Sequence, residues 1–294
     1  MGKSNNKEFT RLPEDHPLTD KLLSQAWWIK LVSLSHADPD INIQLRSDYI
    51  NVYSKMGSLL RIGLQGNNIS CEIHYKYLIS NSAQPYVKIQ PTNGQLKVSG
   101  NECPNVADIL DPKNFKIIKQ NIATYAGEEK TIQSRLVEKN KDTIIDVEVA
   151  FSENGRTVSD SGENTRIDLV NFDKKQRKLV FVELKQAFDA RLFNGEINKQ
   201  IERYTNFARK NEGQIIDAYQ NALATKKKLG IINEASFLAN VAVEQLEPKP
   251  ILAIAAYNQN VIDGLRCKIR GKLDTQSGFN WTLNPELTGQ SIRS

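Results

Sequence analysis

Apolar and polar residues follow two periods along the 294-residue chain, and the period changes near residue 40. Residues 17 to 36 carry helical signals, with Leu22, Leu23, Ala26, Trp27, Ile29, Leu31 and Val32 supplying an apolar side. After Asp38-Pro39-Asp40 the spacing drops to two. Ile41 to Leu45 alternates strictly, and Tyr49 to Tyr53, Ser58 to Leu64 and Ile69 to Leu78 follow as short strands. Gly57 and Gly66-Asn67-Asn68 stand between them as turn formers, so an antiparallel meander is expected. Trp27 and Trp28 are of a type that stacks on bases, but core packing is the better reading for at least one. Pro, Gly and Asn punctuate residues 91 to 114, which places a domain boundary there.

The second half predicts a different order. Gly127 to Lys139 reads as a helix and Thr143 to Phe151 as a strand, and Ser152 to Thr165 is a polar loop. Strands Arg166 to Val170 and Leu179 to Lys185 follow, joined by a basic turn. Helices are expected near Glu196 to Lys210 and Gln214 to Leu229, then an apolar strand over Ile251 to Tyr257. No unit repeats at a fixed period. The expected class is α/β (α+β). A smaller helix-plus-antiparallel-meander domain spans 1–115, with recognition or regulation as its open role. A mixed central sheet flanked by helices spans 116–294.

Composition narrows the chemistry. At 39% hydrophobic and 25% charged residues, the chain has enough apolar side chains for an ordinary core. The longest apolar run, Ile251 to Tyr257, is far short of the roughly 20 residues that span a bilayer, and the polar start lacks a signal-peptide pattern. Three separated cysteines form neither a zinc pair nor a disulfide framework, which fits a reducing cytoplasm. His16, His36 and His74 make no His-x-x-x-His pair, and there is no Walker loop or Gly-x-Ser-x-Gly elbow. Metal chemistry would therefore rest on carboxylates and a hard ion such as Mg²⁺. The net charge of +5 is compatible with a polyanionic partner. Its local knots are Lys174-Lys175-Gln176-Arg177-Lys178 and Lys226-Lys227-Lys228.

The informative stretch is Arg166-Ile167-Asp168-Leu169-Val170, then Leu179-Val180-Phe181-Val182-Glu183-Leu184-Lys185. Alternation puts Phe181, Glu183 and Lys185 on one face, opposite to Val180, Val182 and Leu184. A hairpin turning about Lys175 and Gln176 sets Asp168 opposite Glu183. Two carboxylates and an ammonium then meet at the edge of apolar strands, an arrangement that repels itself unless a cation joins it. Glu128-Glu129-Lys130 and Glu247-Pro248-Lys249 share the Glu-x-Lys spacing but lack an apolar strand around them.

Asp168 with Glu183-Leu184-Lys185 resembles the core of the PD-(D/E)xK nuclease superfamily, the restriction-endonuclease-like fold. Gln200 and Tyr204 match the Gln-x-x-x-Tyr element of its RecB-like branch, and at i and i+4 they share one helix face. Glu129 on the preceding helix resembles the acid that the family's first helix contributes, with Glu128 and Glu148 as further candidates. No Pro precedes Asp168, where Ile167 stands instead. The resemblance covers about residues 125 to 260.

What the resemblance implies is metal-dependent hydrolysis of a nucleic-acid phosphodiester, with DNA favoured and interior cleavage expected. Asp168, Glu183 and Glu129 would hold Mg²⁺, with Mn²⁺ as a substitute, to polarise the phosphate and acidify water. Lys185 would orient water and stabilise transition-state charge, because two neighbouring carboxylates favour its ammonium form. Gln200 and Tyr204 would position water, phosphate or the lysine. Lys174, Lys175, Arg177 and Lys178, together with the 152–165 loop, would contact the nucleic-acid backbone. A homodimer that cuts both strands and a role in restriction or antiviral defence fit this architecture. The competing readings are a non-cutting nucleic-acid-binding or interaction protein with a nuclease-like core, and an RNA-directed nuclease.

Overall fold

The structure is a computed structural model and describes residues 9–78, 85–92, 94–98, 108–151, 165–255 and 281–283, with Gly264 and Lys268. In chain order the elements are α1 (Pro17–Leu23), α2 (Ala26–Ala37), β1 (Ile41–Leu45), β2 (Ile50–Ser54), β3 (Gly57–Gln65), β4 (Asn68–His74) and α3 (Tyr75–Leu78). Next come β5 (Tyr86–Thr92), β6 (Gln95–Val98), α4 (Pro112–Tyr125), α5 (Glu128–Lys139), β7 (Ile144–Phe151), β8 (Thr165–Asp173) and β9 (Lys178–Gln186). The last are α6 (Arg191–Asn194), α7 (Glu196–Lys210), α8 (Glu212–Lys228), β10 (Gln245–Ala255) and β11 (Trp281–Leu283). The class is mixed α+β, as the two sequence periods predict. No helix among these residues is long and apolar enough to cross a membrane.

The chain divides into two compact units that interleave in sequence. One takes residues 11–134 with 221–240, and the other takes 1–10, 135–220 and 241–294. The first of these holds the meander, a six-stranded sheet in the order β1-β2-β3-β4-β5-β6 with every pair antiparallel. Trp27 and Trp28 are wholly buried, so both serve the core, and the Trp28 indole donates to Leu229 O at 3.2 Å. The expected helix over 17–36 is two helices, because Ser24 closes α1 and its amide bonds Leu22 O. The strand expected to run to Leu78 stops at His74, and the chain turns through α3. Two further strands and α4 occupy part of the stretch that reads as a boundary. Asp111 caps α4 by accepting from Lys113 N and Asn114 N, and Pro112 opens it.

The other unit is built on a five-stranded mixed sheet in the order β11-β10-β9-β8-β7. β7, β8 and β9 pair antiparallel, and β10 runs parallel to both β9 and β11. Ile167, Leu169, Val180, Val182 and Leu184 are all buried, as a sheet covered by helices requires. Helix α7 spans the predicted residues. Its Ile197, Ile201, Tyr204 and Ala208 form the buried stripe, and it packs on β10 and β8. Strand β10 starts six residues earlier than its apolar run, and its register to β9 shifts between Glu247 and Ile251, where Pro248 and Pro250 cannot donate.

Candidate active site

The β8–β9 ladder runs from Asp173 opposite Lys178 to Leu169 opposite Val182. One further step along that register sets Asp168 opposite Glu183, the pairing that the turn position predicts. There the backbone ladder gives way to a side-chain bond, and the Asp168 carboxylate takes the Leu184 amide at 2.7 Å. On the other edge of β8, Val147 pairs Leu169 and Val149 pairs Ile167, which brackets Glu148 opposite Asp168. Glu148, Asp168 and Glu183 thus form one row across three adjacent strands. Ala150 pairs Arg166, which lies two residues before Asp168 on β8. Alternation sets Arg166 and Asp168 on the same face of β8, so the row of acids has a cation beside it.

Burial gives this geometry its energetic character. Glu183 and Lys185 are each 2% exposed and form an ion pair. A charge removed from water needs such a partner together with further hydrogen bonds. Lys185 also donates to Leu184 O at 3.0 Å, and Glu183 Oε1 accepts from Gln200 Nε2 at 2.7 Å. Gln200 also donates to the Tyr204 hydroxyl, which in turn donates to Arg166 O at 2.6 Å. One turn of α7 is thereby tied to β8 and β9 together. Burial, and then the Glu183 charge, push the Asp168 carboxyl well above the ordinary carboxylate range against the opposing pull of Lys185. Burial, followed by Glu183, likewise raises the Tyr204 phenol, which keeps it a proton donor.

Five of the residues singled out from sequence, Asp168, Glu183, Lys185, Gln200 and Tyr204, therefore form one connected cluster. Glu129 is half-buried in the first turn of α5 and Glu128 is exposed. Both belong to the unit of residues 11–134, whereas the acid set beside Asp168 within its own unit is Glu148. The basic turn lies at the opposite end of the hairpin. Asp173 is five residues from Asp168, about 17 Å along an extended strand. In that turn Lys174, Lys175 and Arg177 are exposed, Arg177 pairs with Glu244 at 2.7 Å, and Lys178 pairs with Glu247 at 2.7 Å. Residues 152–164 of the expected loop lie outside the described residues.

Arg166 is the residue that the sequence reading passed over. Its signal is the same alternation that selects Asp168, two positions further along β8. Buried Asp146 was also unremarked, and it accepts from Val147 N at 2.8 Å and from the Tyr219 hydroxyl at 3.2 Å. The Cys71 thiol is buried in the meander unit and pushed up to about 12 by burial, which suits a core side chain and not a nucleophile.

Among the described residues, no group of three or more His, Cys, Asp or Glu side chains gathers closely enough to enclose a metal ion. The donor set that is present fits a more open kind of site. Adjacent carboxylates, one of them raised chiefly by burial and then by its neighbour's charge, suit a hard cation. Mg²⁺ keeps several of its own waters and uses only one or two protein carboxylates plus phosphate oxygens.

No family model, no curated protein and no solved structure matches the chain.

Proposed function

We propose that the chain is a metal-dependent nuclease that hydrolyses phosphodiester bonds of DNA, with cleavage in the interior of the strand. The observation that carries this reading is the hydrogen-bonded cluster of Asp168, Glu183, Lys185, Gln200 and Tyr204 at the end of the β8–β9 ladder. Asp168 and Glu183 would hold Mg²⁺ or Mn²⁺. When bound, the ion supplies positive charge that polarises the scissile phosphate and acidifies water.

The chain's own residues supply the rest. Glu183 is fixed in place by Gln200 and Lys185, so its carboxylate is oriented before any ligand arrives. The Lys185 ammonium is set to stabilise negative charge that develops on the phosphate, and its low exposure keeps that interaction unscreened. The Tyr204 hydroxyl stays protonated, and through Arg166 O it holds the strand that carries Asp168.

The test is incubation of the full chain with plasmid, linear duplex, single-stranded DNA and RNA, each with Mg²⁺ or with chelator. Plasmid nicking or linearisation in Mg²⁺ alone supports the reading. Cleavage of RNA only would redirect it to RNA, and no cleavage of any substrate would remove it.

A further inference from the structure

The Arg166 side chain takes no part in holding the metal or in the Glu183–Lys185–Gln200 bonds, yet its position singles it out. It lies two residues before Asp168 on the same face of β8, where its backbone pairs with Ala150 of β7. Its backbone is anchored by the Tyr204 hydroxyl, so the strand cannot drift away from the acids. Its side chain is 53% exposed, and its Nη1 bonds Glu148 Oε2 at 3.0 Å, where the Glu148 side chain is only 10% exposed. Glu148 has φ 53° in the middle of a strand. That left-handed conformation costs energy for a residue with a Cβ.

With its Arg166 side half in water, this ion pair adds only modest stability. The conformation that presents Glu148 to Arg166 therefore has little evident return in folding energy. A guanidinium carries a planar fork of N–H donors, and the bond to Glu148 occupies one arm of it. The remaining edge is suited to the paired oxygens of a phosphate. Arg166 is also better placed for the reacting phosphate than the turn cations. Those lie about 17 Å away along the hairpin, and two of the four are matched by Glu244 and Glu247.

We propose that Arg166, steadied by Glu148, is a phosphate-binding residue of this site that grips the nucleic-acid backbone beside Asp168 and Glu183. The inference rests on the nuclease reading and goes beyond it by assigning backbone recognition to a residue of the catalytic face.

The test uses Asp168→Asn, which keeps an acceptor for the Leu184 amide and is expected not to cleave. Its affinity for a fluorescein-labelled 20-base-pair DNA duplex is measured across a salt series in Mg²⁺. Adding Arg166→Ala should weaken binding about tenfold at fixed salt, the effect of losing a charge-assisted bond. It should also make the slope of log affinity against log salt shallower by about one unit. Arg166→Gln keeps length and hydrogen-bonding capacity but not charge, so it should give the same slope even if the alanine variant folds poorly. Arg166→Lys should restore the slope. Parental affinity and slope in Arg166→Gln would overturn the assignment while leaving the nuclease reading intact. Failure of both the wild type and Asp168→Asn to bind DNA would overturn the two together.

Discussion

Gln200 on α7 donates from Nε2 to Oε1 of Glu183 on β9 at 2.7 Å, and with this bond a helix fixes the orientation of a carboxylate on a neighbouring strand. Glu183 is buried, so the amide does more than a surface contact would. It supplies a donor to a charge that water cannot reach.

The first prediction follows from that bond. Gln200→Ala should lower stability by about 1.5–3 kcal/mol, the worth of a hydrogen bond to a charged group. Chemical denaturation would show this as a shifted midpoint with an unchanged slope. Gln200→Glu should be worse, because it adds a further acid beside Glu183 and removes the donor.

Asp168 makes stability depend on pH. Its folded pKa is raised, chiefly by burial and then by Glu183, so the folded state holds a proton that the unfolded chain releases near pH 4. The metal-free protein should therefore be most stable below that pH with respect to this group. It should lose that contribution as pH rises from about 4 through the raised folded value. Asp168→Asn should flatten this decline and melt higher than wild type at pH 7 in chelator. Thermal melts from pH 4 to 8 test it, and a parallel decline in both proteins would contradict the assignment.

Much of this site was legible because its parts follow short-range rules. The position of the turn at Lys175 and Gln176 and strict alternation indicate which residues of β8 and β9 share a face, and the ladder from Asp173–Lys178 to Leu169–Val182 has that register. The stripe Ile197, Ile201, Tyr204 and Ala208 located α7 to its ends. Prolines misdirected the reading elsewhere. Pro112 opens α4, and Pro248 and Pro250 lie inside β10 at a register shift. Tyr75 to Leu78 read as strand from composition but form α3. The interleaving of residues 221–240 with 11–134 depends on long-range packing such as the Trp28 bond to Leu229 O, which no local pattern encodes. Arg166 is a single cation with no cluster to mark it in the sequence, and only its place on the face of Asp168 distinguishes it.

Lys185 separates chemistry from binding. Lys185→Ala should lower turnover by about 10²-fold or more, the scale of losing one preorganised electrostatic group. Nucleic-acid affinity should change little. Single-turnover rates and binding isotherms on the same variant check this. Normal turnover at saturation with weakened binding would make Lys185 a phosphate anchor instead.

The basic turn should matter only for long substrates. A distance of about 17 Å corresponds to about five base pairs of duplex. Lys174→Ala with Lys175→Ala should weaken binding of a 20-base-pair duplex and leave a four-base-pair fragment unaffected. Equal loss on both lengths would show that the turn does not act through a separate backbone contact.

The measurement closest to the central claim is the rate of supercoiled plasmid cleavage by wild type and Asp168→Asn at equal concentration in Mg²⁺, with a chelator control. Wild type should cleave in Mg²⁺ and not in chelator, and Asp168→Asn should lose at least about 10²-fold despite a fold at least as stable. Equal rates for the two proteins, or cleavage that persists in chelator, would contradict that claim.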